Sequence, residues 1–318
     1  MVILTLGNSL TCLSVCRENI FIRAGIVFLS NQKGQLLMNE SSNAKQIALK
    51  KQQKALEEMR NKRNEQKILA YKAMLFKVKM AIACLGILFF ISFFLKGSLV
   101  DYKKINADLY KQPLQTETDK KEITLNYMGV QYLIKPVQDY EISGLVVSHN
   151  NPSGFGDIYH DSKSFDTKDL CVIWGNNLIN NDFHKVKFWN VSWTCNVRYP
   201  PGINFEFDEI SNNHLITRSD EIRKKIAHVK VGDQIKIKGA LANYTSLNNE
   251  SGWRNSSLTR TDTGNGACEV IWVESLEILK KGTPLWYLLF DFSKWGLLLM
   301  VVMMIGIVVK SSKLQVSR

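Results

Sequence analysis

Two apolar runs with a long polar interval between them constrain this chain more than any other feature. Residues 80–95 (MAIACLGILFFISFFL) hold no charge and are flanked by Lys77, Lys79 and Lys96. Lysines at the end of a span reach back to the interface with their ammonium groups. The hydrophobic length is therefore that of residues 75–95, enough for a hydrocarbon core of about 30 Å at about 1.5 Å per residue. Residues 295–309 form the second run, which is short by itself; extended back to 285 it becomes a full span that includes Asp291 and Lys294. Those two lie three apart, share a helix face and can neutralise each other near the interface. Trp286, Tyr287, Phe290, Phe292 and Trp295 cluster there as an interfacial aromatic belt does, and Pro284 suits the first turn of a helix. The sequence predicts transmembrane helices over 75–95 and 285–309, with the lipid bilayer as a partner.

The charge supports this reading once it is located. The 318 residues carry 41 Lys+Arg against 29 Asp+Glu, a formal +12 that suits either a nucleic-acid binder or a membrane protein. Residues 1–79 hold fourteen basic and five acidic side chains, +9; residues 96–283 hold 23 of each; Lys310, Lys313 and Arg318 add +3, while Asp291 and Lys294 cancel. The excess thus lies entirely at the termini. The positive-inside rule then places both ends in the cytoplasm and residues 96–284 across the membrane. A neutral exported domain argues against nucleic acid as a partner. Ordinary apolar content excludes a mainly disordered chain, and six Cys in this length exclude a disulfide-dense mini-protein.

Residues 1–37 read as a doubtful extension, unstructured or spurious. No basic stretch precedes the first apolar one, no small-x-small site follows, and residues 20–29 are too short to span and are broken by Arg23. Met38 opens a normal-looking cytoplasmic start, so translation begins at Met1 or Met38. Residues 38–74 are rich in Ala, Lys, Gln, Glu and Leu, lack Gly and Pro, and should form a basic helix suited to anionic lipid or an acidic partner. Arg63 and the glutamines spoil a heptad seam. Residues 96–139 read as a linker and 310–318 as a cytoplasmic tail.

Residues 140–282 carry the β signal. Strands are expected over 141–149, 170–175 and 186–195, with Asn180, Asn181 and Asp182 as the turn between the last two. Ser219 is an N-cap for a short helix whose Ile222, Ile226 and Val229 share one face. A strand follows over 234–241. Residues 254–263 are polar and extended, Gly264-Asn265-Gly266 signals a hairpin, and residues 268–279 make the last strand. This order, with one helix between the third and fourth strands, resembles an OB-fold, a five-stranded barrel. A β-sandwich or a lipocalin-like barrel is the alternative. The expected fold is mainly β: a small OB-like barrel between two transmembrane helices, preceded by the basic helix.

Cys171, Cys195 and Cys268 lie in the exported part, where oxidation is favoured. Cys171 and Cys195 are placed symmetrically about the Asn/Asp turn; if the flanking strands form a simple hairpin, they are cross-strand neighbours at bridgeable distance. That pair is the expected disulfide, with pairs involving Cys268 as alternatives. Cys268, His214 and Asp262 can be read as nucleophile, base and orienting carboxylate. The plainer reading makes His214 a hydrogen-bonded loop residue, pairs Arg260 with Asp262, and buries Cys268 as a small side chain. Trp253, Ser257, Arg260 and Asp262 are candidate binding residues. His149, His160, His184 and His228 lack metal-ligand spacing, so no metal and no cofactor is expected. Asn190-Val-Ser and Asn243-Tyr-Thr match glycosylation sequons, a frequent pattern that matters only in a eukaryote.

The strings at residues 169–175 (DLCVIWG), 193–195 (WTC), 211–216 (SNNHLI), 232–235 (GDQI) and 260–269 (RTDTGNGACE) resemble an uncharacterised family of bacterial envelope proteins. The likeness covers about residues 140–280. It implies a bacterial inner-membrane location and an exported domain in the periplasm, and it carries over no catalytic residue. The function expected from the sequence is binding or assembly with an envelope protein or glycan. A Cys268-dependent periplasmic hydrolase and an accessory subunit of a transport or secretion complex are the alternatives.

Overall fold

A computed structural model describes residues 11–151, 164–191, 194–248, 252–262, 264 and 267–316. The chain divides into two units, one of residues 1–81 and 300–318, the other of residues 82–299. Helix α1 runs unbroken over Thr11–Leu95 and α3 over Pro284–Val316. Each is long and apolar enough to cross a membrane, within Met38–Leu95 and Pro284–Gln315. Of residues 1–37, expected to be a doubtful extension, unstructured or spurious, residues 1–10 lie outside the described residues and 11–37 continue α1. Once a helix is nucleated each added residue gains a hydrogen bond, and the sequence places no proline there to stop it. The helix ends where Lys96 N–H closes on Ser92 C=O and Gly97 takes φ +76°, a left-handed conformation that glycine adopts without steric cost.

Within the second unit α1 and α3 meet through small residues. Ser92 and Ser293 are fully buried, each hydroxyl returning its proton to a carbonyl one turn back, and a Cβ on Gly296 would lie 3.1 Å from Leu85. Such small residues let the two helices approach closely. Phe89 and Phe290 stack at 4.9 Å. Lys294 and Asp291 pair with each other at 3.0 Å, as their spacing predicts.

Between the helices lies a large mixed sheet. Its strands are β1 (Leu114–Thr116), β2 (Ile123–Tyr127), β3 (Val130–Asn150), β4 (Lys168–Ile173), β7 (Ile210–Ile216), β8 (Gln234–Ser246) and β9 (Glu269–Lys280). The hairpin of β5 (Lys187–Val191) and β6 (Thr194–Arg198) forms a separate two-stranded sheet, and α2 (Asp220–His228) joins β7 to β8. The main path is β1-β3-β4-β7-β9-β8, with β7 and β9 parallel; β8 also pairs with β3 along residues 132–145, so the path leads back to its second strand. The 96–139 stretch, expected to be a linker, holds two 3-10 turns, β1, β2 and the start of β3. Its alternating side chains become strand because β3 is long enough to pair with β2, β1, β8 and β4 in turn.

One face of the sheet carries the main apolar core. Ile142, Val172, Leu215, Ile237 and Ile271 converge there from five strands, closed by Ile226 and Val229 of α2. Ser219 caps α2 by accepting the Ile222 N–H, as expected, and the buried Lys168 ammonium donates to the carbonyls of Val229 (2.6 Å) and Ala227 (3.3 Å) at its other end. The opposite face carries two apolar patches. One lies under the β5–β6 hairpin and includes Ile173 and Phe183; the other includes Ile216, Val270 and Trp272. β9 crosses β8 at a bulge between Lys238 and Gly239, where a Cβ on Gly239 would meet Trp272 C=O at 1.9 Å. Only a residue without a side chain fits this crossing.

Candidate functional site

On that opposite face, in the gap between the two patches, three adjacent strands present polar side chains. Asp169 of β4 and His214 of β7 are register partners, so their side chains emerge together; Asn212 leaves the same face two residues earlier. β9 lies parallel to β7 with Asn213 opposite Glu269, which puts Cys268, at the mouth of β9, beside Asn212. Asp169 and His214 are both completely buried, and His214 Nδ1 lies 2.6 Å from Asp169 Oδ1. The half-buried Cys268 sulfur is hydrogen-bonded to His214 and accepts from Asn212 Nδ2 at 3.5 Å. Thiol, imidazole and carboxylate therefore stand in line.

The carboxylate is not Asp262, which the sequence had put third. Asp262 is exposed and receives the Ser257 hydroxyl at 2.6 Å within its own loop. Chain proximity to Cys268 favoured it, but the register of β4 on β7 supplies Asp169 instead. Arg260 does not pair with Asp262 either. Its guanidinium donates to Gln115 Oε1 at 3.2 and 3.1 Å and lies over the Tyr140 ring. The binding candidates form no common site: Arg260 faces β1 and β3, Ser257 and Asp262 close a local turn, and Trp253 is exposed. Ser257 still bears on the thiol, since its N–H donates to Cys268 C=O at 2.9 Å.

The segment holding these residues is pinned from both sides. Arg254 exchanges backbone hydrogen bonds with Tyr244 of β8, and Ser256 Oγ accepts the Val270 N–H of β9 at 3.0 Å. Of the expected Gly264-Asn265-Gly266 turn, Gly264 has φ +84° and residues 265–266 lie outside the described residues. The pinning delivers Arg254, which the sequence did not single out: its Nη2 lies 2.6 Å from His214 Nε2.

A second brace comes from the hairpin. Cys171 and Cys195 are joined in a disulfide, Cα–Cα 5.8 Å, as expected, but not as partners in one hairpin. Cys171 sits opposite Asn212 in the main sheet and Cys195 opposite Asn190 in the β5–β6 sheet. The residues between them fold as two 3-10 turns, and the expected 186–195 strand is split into β5 and β6. The bridge therefore ties the hairpin over the site, where Asn190 Nδ2 donates to Asn212 Oδ1 at 2.9 Å. Asn243, the other sequon residue, accepts the Ser256 N–H at 2.9 Å.

The electrostatics follow from this packing. Burial works against a charged His214, but the hydrogen bond it donates to Asp169 and the one with Cys268 outweigh it and lift the ring to about 9. Burial likewise opposes a Cys268 thiolate, yet His214, Asn212 and Arg254 bring the thiol below its ordinary value. Arg254 pulls the histidine the other way. A guanidinium can only donate, so its approach at 2.6 Å favours a ring with a lone pair on Nε2 over the imidazolium that faces a thiolate. Thiol and guanidinium compete for one ring nitrogen. On the apolar face behind Cys268, the buried Glu269 is pushed up to about 8 by desolvation and is neutral at pH 7.

No family model, curated protein or solved structure matches the chain.

Proposed function

We propose that this is a membrane-anchored thiol enzyme of the bacterial envelope, an acyl-transfer or hydrolytic catalyst with Cys268 as nucleophile. The alignment of Cys268, His214 and Asp169 carries the reading. A partly accessible sulfur backed by a buried, carboxylate-oriented imidazole is the arrangement covalent catalysis needs, and a merely structural cysteine has no use for it. The sulfur attacks an acyl carbon while its proton resides on His214. The leaving group departs with that proton as the thioester forms. Water, deprotonated by His214, then releases the acyl group and restores the thiol. Asn212, whose amide already donates to the sulfur, is placed to donate to the developing oxyanion.

In this proposal the two apolar helices are spans of the inner membrane, with both termini in the cytoplasm and residues 96–284 in the periplasm. The charge partition and the disulfide support that orientation. The strand path, the β7–β9 parallel pair and the helix between β7 and β8 support an OB-like description of the domain. The envelope assignment rests on the likeness of the residue strings.

A second reading, binding or assembly with an envelope protein or glycan, is favoured by Val191 and Phe207, both more than half exposed beside the hairpin. The Asp291–Lys294 pair satisfies itself and so gives a transport or secretion complex no specific support. The test is p-nitrophenyl acetate with the purified full-length protein. A burst stoichiometric with protein, with the acetyl group on the Cys268 peptide and absent from Cys268→Ser and His214→Gln, is expected. No burst and no acetylated Cys268 sinks the enzyme reading.

A further inference from the structure

Among the described residues, Arg254 makes a contact at the site that opposes catalysis. Its Nη2 lies 2.6 Å from His214 Nε2, the nitrogen that has to take the Cys268 proton. Asp169 holds Nδ1, and Arg254 shares the remaining side of the ring with Cys268, so the thiol does not have Nε2 to itself. The guanidinium is half-buried, beside the half-buried sulfur and next to the exposed Trp253. Its backbone is fixed by Tyr244, so the long side chain can swing while the segment stays in place. An arginine prefers an anion to an imidazole, because a carboxylate accepts two N–H bonds and carries a full charge.

We propose that Arg254 is the receptor for a substrate carboxylate: when that carboxylate binds, it draws the guanidinium off His214 Nε2 and thereby releases the base. The inference rests on the Cys268–His214 reading and names its substrate class. Guanidinium and thiol both address one ring nitrogen, so the carboxylate and the carbonyl under attack are about one residue apart, roughly 3.8 Å. That spacing fits an acyl–amino acid bond whose leaving amine carries an α-carboxylate, as in the last residue of a peptide chain. Neutral acyl compounds, p-nitrophenyl acetate among them, meet a base still held by Arg254 and acylate Cys268 more slowly than carboxylate-bearing ones.

Iodoacetate and iodoacetamide test this directly, since they differ in little but the carboxylate and react alike: the sulfur forms a bond to the methylene carbon and iodide leaves. The full-length protein is treated with each at pH 7, and the alkylated Cys268 peptide is quantified against glutathione in the same tube. The expected result is an iodoacetate-to-iodoacetamide rate ratio about tenfold above that of glutathione, the factor for one charge-assisted hydrogen bond gained before reaction. It should fall to the glutathione ratio in Arg254→Gln and stay above it in Arg254→Lys, which keeps the cation. A glutathione-like ratio in the wild type overturns the inference, as does a raised ratio that survives Arg254→Gln. If Cys268 reacts with both reagents no faster than glutathione, the activated thiol itself is absent and the enzyme reading falls too. A fast Cys268 without anion preference removes Arg254's role alone.

Discussion

Replacing Asp169 by Asn preserves the side-chain shape and removes its charge. The carboxylate is completely buried with Oδ1 2.6 Å from His214 Nδ1, so the pair is unscreened by solvent. The amide oxygen of Asn can still accept from Nδ1, and the ring keeps its orientation. What is lost is the charge-assisted part of the bond. A hydrogen bond to a charged group contributes about 1.5–3 kcal/mol, which at about 1.36 kcal/mol per pKa unit lowers His214 from about 9 by one to two units. The thiol feels this through His214, its largest favourable influence, and should rise. The groups acting on the sulfur are His214 and Asn212 of β7, Arg254 of the pinned segment and, through the histidine, Asp169 of β4; Glu269, the next residue, couples to it as well. The assay is iodoacetamide alkylation of the full chain from about pH 5 to about pH 10, with the Cys268 peptide quantified at each point. Asp169→Asn should move the inflection upward and slow the reaction near neutrality by up to about tenfold. An unchanged profile, in protein whose Cys171–Cys195 bridge is intact, refutes the role given to Asp169.

Other consequences are as specific. Cys171→Ser opens a bridge between residues 24 apart, so it should cost about 3.5 kcal/mol by loop entropy and leave 187–198 open to proteolysis; thermal melts and limited digestion check both. Neither Cys171 nor Cys195 should alkylate without reductant. Glu269 is raised from 4.5 to about 8. The stability it contributes is present in full below pH 4.5 and is lost as pH rises through about 8. Glu269→Gln, which cannot ionise, should therefore match the wild type near pH 4 and exceed it by several kcal/mol near pH 8.5, read from melting curves at the two pH values. Gly239→Ala drives a methyl into the Trp272 carbonyl and should lower stability by about 1–3 kcal/mol.

Much of the frame was legible because it is local. Span length, the Ser219 cap, the Ile222–Ile226 spacing of α2 and the alternation of β8 are written within a dozen or so residues, and each appears where expected. The β5–β6 hairpin was missed because residues 186–195 read as one β-branched and aromatic run with no glycine or proline to mark the turn. The disulfide pair was right for the wrong reason. Its two cysteines belong to different sheets, and their approach depends on how those sheets pack. The site shows the same division. Cys268 and His214 were visible as reactive types, but their carboxylate comes from a strand 45 residues before the histidine, chosen by register. Arg254 reaches His214 only because β8 and β9 hold its segment between them.

The most direct measurement labels Cys268 from outside. Cells with a permeabilised outer membrane and an intact inner one receive a membrane-impermeant maleimide at about pH 6.5, where ordinary thiols of pKa about 8.5 are almost wholly protonated. An exported, His214-activated thiol predicts rapid modification of Cys268 in the wild type and a loss of about tenfold or more in rate in His214→Gln. Modification only after the inner membrane is broken, or at one slow rate in both proteins, contradicts it.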